Sequence, residues 1–154
     1  MRSFETNSGN LVADAFLASY DRYASGFGLP ARRAGNLVIA VQNGGGMRQT
    51  GAISAGVLPQ GGVVPGPITR QNTLDLLAFL TNVTTVVNNV TPQDLKLILE
   101  RSAAVPGGGQ FLQIAGFTVT CDLTCPAQVV SAPLAGEQAG TITVPGERVR
   151  EVIC

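Results

Sequence analysis

The stretch Val41-Gln42-Asn43-Gly44-Gly45-Gly46-Met47-Arg48 is the most informative part of this chain. It continues residues 36–42, Asn-Leu-Val-Ile-Ala-Val-Gln, whose almost uniformly apolar run predicts a buried, central strand. Three consecutive glycines permit a sharp turn and a close approach of another group, because they carry no Cβ. The sequence therefore predicts a strand that ends in a tight glycine loop.

This glycine loop has the residues of an anion site. Backbone N–H groups of successive glycines can form a concavity that favours an anion. Asn43 and Arg48 add an amide at one end and a permanently charged guanidinium at the other, and a guanidinium suits carboxylate or phosphate. The pattern is neither the Walker sequence nor G-x-G-x-x-G, so a plain glycine turn is the alternative interpretation.

The composition predicts a single folded domain over residues 1–154. Of its residues, 45% are hydrophobic, which is ample for a core. Ten basic and ten acidic residues balance, so no charge excess points to nucleic acid or to a membrane surface. Only 13% of the residues are charged, about half the usual share. This low fraction suits a surface that another domain or subunit covers in part, or a β-containing protein rich in Gly, Thr and Val.

Histidine is absent from the sequence. Its absence excludes Ser-His-Asp and Cys-His nucleophilic catalysis, as well as any metal site that depends on histidine. The three cysteines, Cys121, Cys125 and Cys154, lack the second ligand pair of a zinc site, and a disulfide among them stays open. No apolar run approaches the length of a membrane span, and no signal peptide is visible.

Residue periodicity predicts three helices. The first is expected from Asn7 to about Ala24, the second over residues 69–79, and the third from Pro92 with Thr91 as its N-cap. The residues expected to face the core are Leu11, Ala15, Phe16, Ala18 and Tyr23 in the first helix and Leu95, Ile98 and Leu99 in the third.

Strands are expected between and after these helices, rich in β-branched residues. Their predicted ranges are residues 36–42, 83–90, 110–122 (one long strand or two short ones around Gly116), 128–131, 141–144 and 148–153. Helices and strands alternate without a regular βαβ cadence, which favours an α+β fold.

Several short motifs occur in an order that is specific although each is weak alone. Glu5-Thr6-Asn7-Ser8-Gly9-Asn10-Leu11 precedes the glycine loop, and Gly66-Pro67-Ile68-Thr69 and Gly109-Gln110-Phe111-Leu112-Gln113 follow it. Together they resemble E-T-N-x-G-N-L, N-G-G-G-I-R, G-P-I-T and G-x-F-L-Q, the motifs of the C-terminal domain of the 5'-nucleotidase family. That family includes UDP-sugar hydrolases and 2',3'-cyclic phosphodiesterases. The resemblance spans roughly Arg2 to Asp122.

The resemblance implies a layered α/β/β/α domain that holds a nucleotide or other phosphate ester. In the family, a separate N-terminal metallophosphoesterase domain supplies catalysis through two divalent metal ions with His, Asp and Asn ligands. None of its motifs occurs in this chain, so we expect no catalytic residue, no metal site and no cofactor here. The family also implies a secreted, periplasmic or cell-surface location.

Carried over residue by residue, the resemblance implies a substrate site on this chain. Its residues are Arg2, Asn43, Gly44, Gly45, Gly46, Arg48 and Phe79. The arginines would hold the phosphate, since each guanidinium can donate two parallel hydrogen bonds, and Phe79 would stack on the base. The bland alternatives are a solvated arginine for Arg2 and Arg48, a turn residue for Asn43 and core packing for Phe79.

The family's second stacking aromatic lies in a segment F-x5-D that has no counterpart before Cys154. The domain is therefore expected to be incomplete at its C-terminus, and the base clamp with it. The sequence favours the substrate-binding domain of a 5'-nucleotidase-like phosphoester hydrolase of nucleotide catabolism, inactive by itself. The alternative is a non-catalytic binding or scaffold module that kept the fold and lost the nucleotide site.

Overall fold

The protein is described by a computed structural model over residues 5–32, 36–47, 69–79, 84–135 and 140–154. Its helices and strands in chain order are α1 (Asn7–Tyr23), β1 (Ala40–Asn43), α2 (Arg70–Leu76), α3 (Pro92–Ala104), β2 (Leu112–Ala115), β3 (Thr118–Cys121), β4 (Val129–Val130), β5 (Ile142–Val144) and β6 (Val149–Ile153). Short 3-10 turns follow α1 at Ala24–Phe27 and β1 at Gly44–Gly46. This mixture of helices and small sheets agrees with the expected α+β class.

The described strands form three antiparallel pairs, β1–β2, β3–β6 and β4–β5. In the first pair Ala40 lies opposite Ala115, and Asn43 lies opposite Leu112. The chain passes from β2 to β3 through Gly116, whose φ of 86° is a conformation that a side chain would strain. Of the two alternatives predicted for residues 110–122, the structure shows two short strands around this glycine.

Helix α1 begins where predicted but buries a different face. Thr6 is its N-cap, and the Thr6 hydroxyl accepts a hydrogen bond from the Gly9 N–H at 3.1 Å. The residues of α1 that are buried are Ser8, Gly9, Val12, Ala13 and Leu17. The predicted stripe is wrong in part: Leu11 is 44% exposed, and Ala15, Ala18 and Tyr23 also face outward. Phe16 packs against the core as predicted. Two stripes one residue apart both fit the helical spacing, and packing against β1 and β2 selects the one that contains Gly9.

The other helices carry matching start signals. Thr69 caps α2 and Thr91 caps α3, each in a capping box with the residue three positions later. Helix α3 is confirmed, with Leu99 buried and Leu95 packed beside it. Ile98 is 44% exposed, so its predicted place in the core is wrong. Helix α2 is shorter than predicted and ends at Leu76.

Two strand predictions are wrong in part or in full. The strand predicted over residues 36–42 begins only at Ala40, and Leu37 is 62% exposed, so the run is not buried as expected. Within the described residues β1 pairs with β2 alone. Residues 84–90 form no strand, and Val86, Val87 and Val90 are exposed. Strand propensity without a partner strand does not produce a sheet.

Three apolar clusters hold these elements together. One joins α1 to α2 through Val12, Met47 and Leu76. A second packs α1 on the first sheet, and its buried members are Ala13, Leu17, Ala40 and Ala115. The third packs α3 on β6 and the start of β3, and its buried members are Leu99, Ala103, Phe117 and Val149. No helix in the described part of the chain has both the length and the apolar character to cross a membrane.

Candidate functional site

The glycine loop turns back on itself directly after β1. Gly44 to Gly46 form one 3-10 turn, and the Met47 N–H donates to the Gly44 carbonyl at 3.4 Å. Met47 then inserts into the cluster with Val12 and Leu76 and is only 3% exposed. The loop is therefore anchored at both ends, by β1 and by the α1–α2 cluster.

A second glycine-rich loop, residues 107–109 between α3 and β2, packs against the first. The Gly45 N–H donates to the Gly109 carbonyl at 2.8 Å, and the Gly44 N–H donates to the Phe111 carbonyl at 2.7 Å. A Cβ on Gly45 would lie 3.2 Å from Gly109 Cα, so the two backbones meet at a distance that only glycine accommodates easily.

These hydrogen bonds change the expected role of the glycines. The sequence predicted that their N–H groups would line an anion concavity, but those of Gly44 and Gly45 are already donated to carbonyl groups. Neither group is available to an anion while these bonds persist. The glycines thus shape the loop and bring the two loops together.

Asn43 stands at the carboxyl end of β1 with an exposed side chain whose amide is held at both ends. Its Nδ2 donates to the Gly109 carbonyl at 3.3 Å. Its Oδ1 accepts from Gln42 Nε2 at 3.1 Å, and the same Nε2 also donates to the Asn43 backbone carbonyl at 3.0 Å. Sequence reasoning missed Gln42, because nothing in its spacing marks it as more than a strand residue.

Phe79 lies just beyond α2 and is 42% exposed. Three residues earlier, Leu76 packs against Met47, the residue that follows the glycine loop. The end of α2 and the exit of the glycine loop are therefore neighbours. Arg2 and Arg48, the two predicted phosphate ligands, lie outside the described residues.

A buried carboxylate ties α3 to the turn before β6. Glu100 is fully buried, and its carboxylate accepts hydrogen bonds from Lys96 Nζ at 2.9 Å, from the Arg148 N–H at 2.9 Å and from the Val149 N–H at 3.0 Å. Burial raises the pKa of Glu100, but the hydrogen bonds and the charge of Lys96 outweigh burial and lower that pKa overall. Glu100 is thus an ionised structural anchor, not a proton donor.

No disulfide joins the three cysteines in this structure. Cys121, Cys125 and Cys154 are all free thiols. Burial, followed by the negative charge of Glu100, raises the pKa of the Cys121 thiol, which keeps it protonated and weakly nucleophilic. Within the described ranges, no group of three or more His, Cys, Asp or Glu side chains could hold a metal ion.

The sequence of this chain is similar to those of known proteins. The sequence model of the family described as "5'-nucleotidase, C-terminal domain" matches residues 1–154. The chain belongs to this family. It is 33% identical over 125 residues to the "Trifunctional nucleotide phosphoesterase protein YfkN" of Bacillus subtilis (strain 168). That match covers 80% of this chain but only 7% of YfkN. No solved structure matches the chain.

Family membership confirms the resemblance that the ordered motifs predicted. The family's full-length members are metallophosphoesterases, and the chain corresponds to their C-terminal domain. The share of YfkN that the chain spans is small, so what the name of YfkN says of phosphoesterase activity applies to that protein.

Proposed function

We propose that the chain is the nucleotide-recognition domain of a 5'-nucleotidase-like phosphoester hydrolase and does not hydrolyse by itself. The observation that carries this proposal is the exposed Asn43 amide at the end of β1, held by Gly109 and Gln42 beside the glycine turn. A fixed amide presents a donor and an acceptor in a defined orientation, which suits a ligand better than a mobile side chain.

The site combines three kinds of contact. Arg2 and Arg48 bind the phosphate by charge-assisted hydrogen bonds, and Asn43 binds a polar edge of the ligand. Phe79, exposed at the end of α2, offers its ring to the base. The N–H groups of Gly44 and Gly45 are already hydrogen-bonded. The role that remains for the three glycines is to let the ligand approach the backbone closely.

The chemistry takes place outside this chain. A partner metallophosphoesterase domain would hold two divalent metal ions, and these ions would supply activation of water and stabilisation of the leaving oxygen. The recognition domain presents the phosphate ester to that site in nucleotide catabolism, at a secreted, periplasmic or cell-surface location. We propose that its layers follow the α/β/β/α arrangement of the family.

The proposal is tested by titrating the chain with AMP at low salt and following backbone amide resonances by NMR. Arg48→Ala is expected to weaken binding about tenfold or more, because a charge-assisted hydrogen bond contributes about 1.5–3 kcal/mol. The protein's thermal stability should change little.

The matched control is Arg22→Ala. Arg22 lies over the Tyr23 ring at the far end of α1, which is 17 residues long, and it should bind AMP like the parent. Arg101 is a poorer control, because its Nε donates to Gln110 at 2.6 Å, next to the loop that holds Asn43. Equal titration curves for the parent, Arg48→Ala and Arg22→Ala would contradict the site.

The second candidate is a binding or scaffold module without a nucleotide site. The internal hydrogen bonds of Gly44 and Gly45 favour it, since they remove donors that an anion would need. This alternative predicts that AMP, UDP-glucose and inorganic phosphate all leave the resonances of residues 42–47 unshifted at millimolar concentration.

A further inference from the structure

Gln42 is a polar residue that contacts Asn43 of the proposed site and has no role assigned so far. It lies opposite Gln113 in the β1–β2 pair, so the two side chains project from the same face of the sheet. Gln113 is fully buried there, and Gln42 is half-buried at the edge of the same layer. Its side-chain amide therefore sits beneath the glycine loop with limited freedom.

The loop itself confines the Gln42 amide. An ideal Cβ on Gly46 would lie 2.3 Å from Gln42 Nε2, so the amide occupies the space that any other residue at position 46 would fill. In this position Nε2 donates to both the backbone carbonyl and the side-chain Oδ1 of Asn43, at 3.0 and 3.1 Å. The amide NH2 of Gln42 is a donor that requires an acceptor, so it selects the oxygen end of the Asn43 amide.

A second contact selects the same orientation from the other side. The Gly109 carbonyl is an acceptor, and it takes a hydrogen bond from Asn43 Nδ2 at 3.3 Å. A reversed Asn43 amide would set oxygen against the Gly109 carbonyl and NH2 against the Gln42 NH2. Both contacts would become repulsive, so the amide is held in one of its two orientations.

We propose that Gln42 is a positioning residue that fixes the orientation of the Asn43 amide and thereby sets which nucleobase edge the site accepts. This inference rests on the proposed function. Among the described residues, one hydrogen of Nδ2 and one lone pair of Oδ1 have no partner, which gives Asn43 a donor and an acceptor of known order. Base edges differ in that order, whereas a phosphate offers acceptors only.

The test uses AMP and IMP, whose bases carry opposite donor and acceptor orders on the same edge. Adenine has an exocyclic NH2 donor beside the N1 acceptor, whereas hypoxanthine has a carbonyl acceptor beside an N1–H donor. The parent chain should bind one of the two nucleotides at least about fivefold more tightly than the other, the value of one neutral hydrogen bond. NMR titration measures both dissociation constants under identical conditions.

Two substitutions remove the Gln42 donor in different ways. Gln42→Glu keeps the shape but replaces NH2 by an acceptor that competes for Asn43 Nδ2, and Gln42→Met removes both polar ends at similar length. In each variant, the ratio of the dissociation constants for AMP and IMP should move toward one by at least about threefold. Gly46→Ala should do the same, since its methyl group displaces the Gln42 amide.

The matched control is Gln93→Glu, the same chemical change on the exposed first turn of α3. It should keep the parent ratio. A purely structural role for Gln42 would weaken both nucleotides equally, so an unchanged ratio in Gln42→Glu and Gln42→Met would overturn the inference. A parent that does not distinguish AMP from IMP would overturn it as well.

A ligand-free measurement separates this inference from the proposed function. The side-chain NH2 resonances of Asn43 should shift in Gln42→Glu and Gln42→Met but not in Gln93→Glu. If they do not shift, Gln42 does not orient Asn43, whatever binds. If the parent binds neither nucleotide, the proposed function and the base selectivity fail together, while these resonances still decide the orientation.

Discussion

Gly9 shows how one residue without a side chain determines the packing of α1. Gln113 is fully buried beneath this helix, and its Oε1 accepts from the Thr6 N–H at 2.8 Å. A Cβ on Gly9 would lie 2.0 Å from that oxygen. Gly9→Ala should therefore lower the free energy of unfolding by about 1–3 kcal/mol, the usual cost of overpacking, measured by urea denaturation with the slope unchanged.

Gly26→Ala is the matched control for this substitution. A Cβ on Gly26 meets no atom within 4 Å. Reduced freedom of the unfolded chain should make this variant neutral or more stable by up to about 1 kcal/mol. Equal losses of stability in the two variants would show that the space beside Gln113 is not the cause.

The residues of the candidate site were partly accessible from sequence. Asn43 and the three glycines were predicted as site residues because a motif contains them, and their binding role stays a prediction. Gln42 was missed, since its importance comes from the Asn43 oxygen and the Gly46 backbone around it. The occupied N–H groups of Gly44 and Gly45 were also missed, because their acceptors lie more than sixty residues later, at Gly109 and Phe111.

Among the elements, α3 depends on Glu100 for its attachment to the turn before β6. The pKa of the Glu100 carboxyl is lowered in the folded protein from its ordinary 4.5. A group with a lowered folded-state pKa stabilises fully above its unfolded pKa, and this contribution disappears as the pH falls through the folded value. Stability from Glu100 should therefore be complete near neutral pH and be lost below about pH 4.5.

Glu100→Gln tests this dependence. At pH 7 the variant should be less stable by about 1–3 kcal/mol, because an amide NH2 faces a backbone N–H that the carboxylate satisfied. The difference from the parent should shrink as the pH is lowered toward 3, measured by urea denaturation at each pH. Glu147→Gln, an exposed carboxylate on the neighbouring turn, should follow the parent at every pH. A constant gap between parent and Glu100→Gln would contradict the assignment.

The elements were predicted best where the signals are local. The start of α3 is indicated within four residues by Thr91, Pro92 and Asp94, and the structure confirms it. Residues 84–90 have the β-branched composition of a strand but form none, because a strand needs a partner that composition does not specify. The buried face of α1 likewise depends on Gln113, more than one hundred residues away.

At the scale of the whole molecule, the chain is organised around contacts between distant segments. The loop after β1 is closed by residues 109 and 111, and α1 rests on β2 through Gln113. These contacts place Asn43 and the three glycines on a packed support, whereas the ordered motifs alone indicated only the family. Recognition without catalysis is consistent with a chain that lacks histidine throughout its sequence.

The last prediction follows from the proposed separation of recognition, in this chain, from catalysis, in another domain. The isolated chain, supplied with Mn²⁺, Co²⁺ or Zn²⁺, should release no phosphate from AMP or from a UDP-sugar above the rate of the buffer. A two-metal hydrolase needs a cluster of nitrogen and oxygen ligands to hold its ions about 4 Å apart, and histidine ligands are excluded by the sequence. Phosphate release is measured by a colorimetric assay across the final purification column. Activity that follows the polypeptide through that column, and that Arg48→Ala abolishes while Arg22→Ala retains it, would show that catalysis resides in this chain after all.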